Sequence, residues 1–127
     1  MSQKQRALHR TNVGKLGEDI ASSFLKRKGY RIISRNFKAR YGEIDIIALD
    51  QDTIVFVEVK TRIGTHFGTP EEAITPRKLR EITKTAEYYT FRTKQSDKAL
   101  RIDAIGIILQ ENGTIYNINH LQNITGL

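Results

Sequence analysis

The stretch Gly42-Glu43-Ile44-Asp45-Ile46-Ile47-Ala48-Leu49, then Asp50-Gln51-Asp52-Thr53, then Ile54-Val55-Phe56-Val57-Glu58-Val59-Lys60, decides how this chain is read. Residues 43–49 and 54–60 are rich in β-formers and free of Gly and Pro, and the polar tetrapeptide between them reads as a turn. If Gln51 and Asp52 form a two-residue hairpin loop, residues facing each other have numbers that sum to 103. Asp45 then faces Glu58, and Glu43 faces Lys60, with Cβ atoms about 4.5–5.5 Å apart. Glu43 and Lys60 are expected to attract. Asp45 and Glu58 repel unless a cation or a proton lies between them. A one-residue slip would send the two acids to opposite faces. Charge set into apolar strands is costly unless compensated, so two acids on neighbouring strands point to a bound cation.

The segments around this hairpin place it in an α/β domain. Residues 1–11 read as a flexible basic arm, and residues 12–127 as a single domain. Thr11 or Asn12 is the expected cap of a first helix, whose apolar positions Val13, Leu16, Ile20, Ala21, Phe24 and Leu25 follow helical spacing up to Gly29. Glu18 falls at the border of that apolar arc, and Asp19 points away. A strand is expected over 30–37, and a loop from Thr61 to Pro70. A second helix starts at Thr75-Pro76, with Leu79, Ile82, Ala86 and Tyr89 as its buried stripe. Leu100 to Leu109 reads as a strand carrying Asp103, Glu111-Asn112-Gly113 as a turn, and Thr114 to Ile118 as a last strand. The order α, β, β, β, α, β, β implies a central mixed five-stranded sheet flanked by helices.

Composition narrows the chemistry. There are no cysteines among the 127 residues, which excludes disulfides, thiolate metal sites and cysteine nucleophiles. No apolar run reaches the roughly 18 residues of a membrane span, and the polar N-terminus lacks a signal-peptide core. A cytoplasmic protein is expected. Lys and Arg number 21 against 14 Asp and Glu, a net charge of +7 that favours a polyanionic partner such as DNA.

Asp45 and Glu58 supply only oxygen donors, and His9, His66 and His120 are isolated, so Mg²⁺, with Mn²⁺ as a substitute, is expected rather than zinc. The backbone carbonyl of Val59 is a further candidate ligand. Lys60 leaves the same strand face as Glu58, where an ammonium can stabilise charge developing during phosphodiester hydrolysis. A two-carboxylate glycosidase is the competing chemistry; the adjacent lysine and the positive net charge weigh against it. Gly14-Lys15 lacks the spacing of a phosphate-binding loop.

The pattern Gly42-x-x-Asp45, twelve residues, Glu58-Val59-Lys60 resembles the PD-(D/E)XK nuclease superfamily, with Ile44 in place of the proline. More closely, the chain is similar to the uncharacterised bacterial YraN-like family. The likeness runs through Gly14-x-x-Gly17-Glu18, Gly29-Tyr30, Asn36, Gly42 to Ala48, Phe56 to Arg62, Phe67-Gly68, Lys78 and Arg101-Ile102-Asp103. The resemblance implies a restriction-endonuclease-like fold and metal-dependent DNA cleavage. Its catalytic set would be Glu18, Asp45, Glu58 and Lys60, with Glu18 as an additional metal ligand. Through similarity to archaeal Holliday junction resolvases it also implies branched DNA as substrate and a homodimer. The alternative is a nucleic-acid-binding or assembly module that keeps the fold without cutting.

Lys38, Arg40, Arg62, Arg77, Arg80 and Lys84 are candidate nucleic-acid contacts, and solvated surface is the alternative for each. Tyr88 and Phe91 share the second helix's basic side and would meet DNA or another subunit. Asp103 either lines the site or partners a nearby arginine. His66, in the loop beyond the hairpin, is a weaker catalytic candidate.

Overall fold

The computed structural model describes residues 3–64 and 68–125, with side chains from Asn12 onward. Thr65, His66 and Phe67 lie outside the described residues, and with them the His66 candidate. The first helix, α1, spans Gln3–Arg27 and so begins well before the expected cap. From Gln3 onward the expected arm is helix, because residues 3–13 contain neither Gly nor Pro and several strong helix formers. At its other end, the Gly29 N–H donates to the Lys26 carbonyl and the Tyr30 N–H to the Leu25 carbonyl, both at 3.0 Å. Gly29 itself has φ 94°, the left-handed conformation this helix stop requires.

Five strands follow: β1 (Arg31–Ala39), β2 (Gly42–Asp50), β3 (Thr53–Ile63), β4 (Leu100–Leu109) and β5 (Ile115–Leu121). The second helix, α2 (Pro76–Arg92), connects β3 to β4, and a short 3-10 turn, Pro70–Ala73, precedes it. Thr75 caps α2, its hydroxyl accepting from the Lys78 N–H at 3.1 Å. The sheet order is β1-β2-β3-β4-β5. Only β3 and β4 pair in parallel; the other neighbours are antiparallel. This is the expected α/β arrangement, a five-stranded mixed sheet with helices, consistent with a restriction-endonuclease-like fold. The ends of β3 and β5 lie furthest from expectation. β3 runs on to Ile63 because β4 offers it a parallel partner as far as Leu109. β5 starts at Ile115 and continues to Leu121, which pairs with Ala104.

The sheet has two buried faces. On one, Ala21 and Leu25 of α1 pack with Tyr30, Ile46, Ala48, Val55, Val57, Val59, Ile105 and Ile107. On the other, Ile82, Ala86 and Tyr89 of α2 pack with Ile44, Ile47, Ile54, Phe56 and Ile102. Strands covered on both faces carry nearly continuous apolar runs, which is why the central strands look hydrophobic throughout. Asp103 points to the α1 face and does not line the candidate site. Its carboxylate is wholly buried. It accepts from the Arg101 guanidinium at 2.9 and 3.1 Å and from the Asn123 N–H at 2.9 Å, and it lies 2.8 Å from His120 Nε2. Those bonds outweigh desolvation and hold its carboxyl below the ordinary carboxylate range. The arginine-partner alternative is the one the structure contains.

Close packing sets how α1 meets β3. A Cβ added to Gly17 would collide with the Thr61 side chain, whereas one on Gly14 would meet nothing within 4 Å. The two glycines should therefore respond oppositely to the same change. We expect Gly17→Ala to lose about 1–3 kcal/mol through overpacking. Gly14→Ala should gain up to about 1 kcal/mol from helix propensity. Denaturant unfolding of both variants checks this, and stabilisation by Gly17→Ala would contradict the packing.

Candidate functional site

The hairpin register is the expected one. Ile46 faces Val57, Ile47 faces Phe56 and Asp50 faces Thr53, each pair summing to 103. The loop residue Gln51 takes φ 54°. Beyond Ile46–Val57 the β2–β3 ladder stops, so Asp45 and Glu58 are opposed without being bridged. The β1–β2 ladder also passes from Arg35–Ile46 to Phe37–Ile44 without a bridge at Asn36 and Asp45. Asn36 has φ 55°, a left-handed conformation that Asn tolerates better than most side chains. The face alternation of β2 breaks at the same point: Ile44 and Ile47 lie on the α2 face, Ile46 and Ala48 on the α1 face. Asp45 therefore sits at a local kink where neither neighbouring strand engages its backbone in a ladder.

The Asp45 side chain takes over the missing contact. Its Oδ2 accepts from the Val59 N–H at 2.8 Å. In an extended strand the N–H and C=O of one residue leave toward the same edge, so the Val59 carbonyl faces the same gap. Glu58 is buried, its side chain 5% exposed. Desolvation, then the Asp45 charge, pushes the Glu58 carboxyl up to about 7. Desolvation likewise raises Asp45, against the Val59 hydrogen bond that lowers it. Burial thus works against ionisation of both acids.

Two ammonium groups face Glu58 Oε1: Lys60 Nζ at 3.7 Å and Lys78 Nζ at 3.9 Å. Lys78 reaches in from the first turn of α2 and was not among the expected site residues. The sequence offered one hint, since Lys78 belongs to the segments shared with the YraN-like family. The expected Glu43–Lys60 pair does not form. The ladder ends before those residues meet, and the ion pair Lys60 makes is with Glu58.

Glu18 reaches the site through Asn36. With its amide nitrogen turned to the carboxylates, Asn36 donates to Glu18 Oε1 at 2.9 Å and to Glu43 Oε1 at 3.2 Å. Desolvation and then the Asp45 charge raise the Glu18 carboxyl above its ordinary value. The structure thus gathers Glu18, Asp45, Glu58 and Lys60, and adds Asn36, Glu43 and Lys78.

The donor chemistry fits a hard divalent cation: two adjacent carboxyls, a backbone carbonyl facing the same gap, and no sulfur. Among the described residues no group of three His, Asp or Glu closes around a point to form a protein-only cage. Magnesium characteristically takes one or two carboxylates and keeps several waters, so the open pair is the fitting arrangement.

The candidate nucleic-acid residues are more dispersed. Lys38 is exposed on β1 opposite Glu43, and Arg62 is exposed on β3. Arg77 pairs with Glu81 at 3.4 Å. Arg80 and Lys84 line a groove of about 540 Å³ along α2 with Leu79, Thr83 and Glu87. Arg40 and Lys84 are brought together by Tyr41, whose ring centroid lies 5.9 Å from the Arg40 guanidinium carbon and 5.7 Å from Lys84 Nζ. Tyr41, Tyr88 and Phe91 are exposed.

The profile described as "Uncharacterised protein family UPF0102" matches residues 17–107, from α1 through most of β4. The chain belongs to this family. A UPF0102 protein of Syntrophomonas wolfei is 43% identical over 111 residues, covering 87% of this chain and 95% of the relative. One of Persephonella marina is 47% identical over 107 residues, covering 84% and 90%. One of Geobacter metallireducens is 44% identical over 117 residues, covering 92% and 94%. The matched span contains all four expected site residues together with Asn36, Glu43 and Lys78.

The buried acid pair has a measurable consequence for stability. The folded-state value of Glu58, about 7, lies above the ordinary 4.5. Ionisation therefore disfavours the folded form. Metal-free stability should be greatest at the acidic end of this window and fall as the pH rises from about 4.5 to about 7. The loss is on the order of 3 kcal/mol. Glu58→Gln should flatten this slope, and so should a divalent cation. Denaturant unfolding at pH 5 and pH 8 checks it. A wild-type protein equally stable at both would contradict the placement of Glu58.

Proposed function

We propose that this UPF0102 protein is a metal-dependent endonuclease that hydrolyses phosphodiester bonds in DNA, with branched or structured DNA as its substrate class. The observation that supports it best is the opposed Asp45–Glu58 pair on the kinked hairpin, with Lys60 3.7 Å from Glu58. A surface that only bound phosphate would be weakened by two acids at its centre. A cation there reverses their effect.

In this reading Asp45, Glu58 and the Val59 carbonyl hold Mg²⁺, or Mn²⁺ in its place, with Glu18 at the margin through Asn36. The bound ion would offset phosphate charge and acidify a water molecule. Lys60 stabilises negative charge that develops at the reacting phosphate. Lys78 offsets the charge of Glu58 from the opposite element. The Val59 N–H keeps Asp45 oriented, so its second oxygen remains available as a ligand.

The cluster of Arg40, Tyr41 and Lys84 serves to hold DNA. Two cations beside an exposed aromatic ring suit both phosphate and an unstacked base. Branched DNA offers both, and a homodimer could engage two of its strands. No helix among the described residues is long and apolar enough to cross a membrane, and a cytoplasmic setting belongs to this same reading.

Cleavage tests the proposal. Plasmid and synthetic four-way junctions incubated with Mg²⁺ or Mn²⁺ should be cut by the wild type and not by Asp45→Ala. Lys60→Ala should cost about 100-fold or more in rate. Equal nicking by wild type and Asp45→Ala, or no cutting of any substrate, would sink the nuclease reading.

Binding without metal tests the DNA surface separately. Arg40→Ala and Lys84→Ala should each lower the slope of log affinity against log salt by up to about 0.9 for duplex DNA. Tyr41→Ala should weaken binding to a single-stranded arm while leaving that slope unchanged. Unaltered affinity in all three variants would show that DNA lies elsewhere.

A further inference from the structure

We propose that Glu71 is a positioning residue for Lys60, receiving its ammonium when a divalent cation takes the Glu58 carboxylate. The inference rests on the reading of Asp45 and Glu58 as cation ligands and extends it to a third acid on the same face of the sheet.

Glu71 lies in the 3-10 turn Pro70–Ala73, away from the hairpin in sequence. That turn packs on β3 and β4. Its carboxylate covers Gly106 so closely that a Cβ there would collide with Oε2. Gly106 is the parallel partner of Lys60 on one side and the antiparallel partner of Asn119 on the other. The three residues form one row across the sheet, with Glu71 over its middle. Ala104, the partner of Glu58, lies two residues earlier on the same strand and face. Glu58, Lys60 and Glu71 therefore share one surface.

The hydrogen bonding of Glu71 is incomplete. Oε1 accepts a long bond from Asn119 Nδ2 at 3.4 Å. Oε2 is buried and has no partner among the described residues. A buried carboxylate oxygen without a donor is a rare arrangement that calls for an explanation. The nearest cation on the row is Lys60, whose ammonium turns the other way, toward Glu58. Strands lie about 4.8 Å apart, so the Lys60 stem begins within side-chain reach of the position Glu71 covers. A lysine has a flexible four-carbon stem and three rotatable donors.

The two carboxylates thus share one face of the sheet with the Lys60 stem. Without a cation, Glu58 holds it. When a divalent cation occupies Glu58, the ammonium and the ion compete for the same oxygens. Transfer to Glu71 relieves that competition and satisfies the unpartnered oxygen. It also leaves Lys60 on the substrate-facing side of the sheet instead of expelling it to solvent.

Mn²⁺ affinity, measured by calorimetry at one pH and without DNA, tests this through a double-mutant cycle. Glu71→Gln should weaken Mn²⁺ about 10-fold. In a Lys60→Met background the same change should have no effect, because no ammonium is left to hold. Gly106→Ala, which forces Glu71 off the row, should show the same loss and the same dependence on Lys60. A general structural role would lower affinity equally in both backgrounds, and that result, or no loss at all, overturns the role given to Glu71. Wild-type protein that binds no Mn²⁺ overturns the cation site itself, and this inference with it.

Discussion

The contact on which the candidate site depends is the 2.8 Å hydrogen bond from the Val59 N–H to Asp45. An acid in the middle of a sheet normally leaves the ladder intact and points away from it. Here the ladder lapses on both sides of Asp45, and the side chain occupies the place of the missing carbonyl. The kink satisfies a donor that would otherwise be stranded in a buried strand. It also turns a carboxyl into a space bordered by Glu58, Asn36 and the Val59 backbone. A regular strand would offer this carboxylate neither the desolvation nor the backbone anchor.

The electrostatics around that contact are balanced without being neutralised. Glu58 and Asp45 are both raised by burial, and the Asp45 charge raises Glu58 further. Lys60 and Lys78 stand 3.7 and 3.9 Å from Glu58, too far for tight hydrogen-bonded pairs. The anchor at Asp103 shows the contrast. There the Arg101 guanidinium approaches to 2.9 Å, and the carboxyl is held below its ordinary range. One acid is fully committed to its partners. The Asp45–Glu58 pair has no cation that close among the described residues.

Much of this could be read from the residues. Asp50-Gln51-Asp52-Thr53 marked the turn, and the count from it placed Asp45 opposite Glu58, because antiparallel register follows once the loop length is set. Thr75-Pro76 and Gly29 marked helix ends through local chemistry that depends on few neighbours. The lapse at Asn36 and Asp45 was not legible, since hydrophobic alternation assumes an unbroken ladder. That assumption produced the Glu43–Lys60 pair, which the kink prevents. Lys78 was hidden because an amphipathic helix reports which face is buried, not which sheet residue its cation will meet. The early start of α1 was missed because Thr11 and Asn12 resemble caps, and nothing local shows that the helix has already begun at Gln3.

Strand β4 presents two sides of different character. Its odd-numbered residues include Asp103, Ile105, Ile107 and Leu109, which tie the sheet to α1 and to the last described residues. Its even-numbered residues include Ala104 and Gly106, small enough to leave room above them for Glu58, Lys60 and Glu71. The same ten residues carry two unrelated messages, separated only by parity. A single inserted or deleted residue would exchange the messages, pressing Asp103 into the floor of the acidic face and emptying its own socket. The reading frame of this strand against β3 is what keeps the two messages apart.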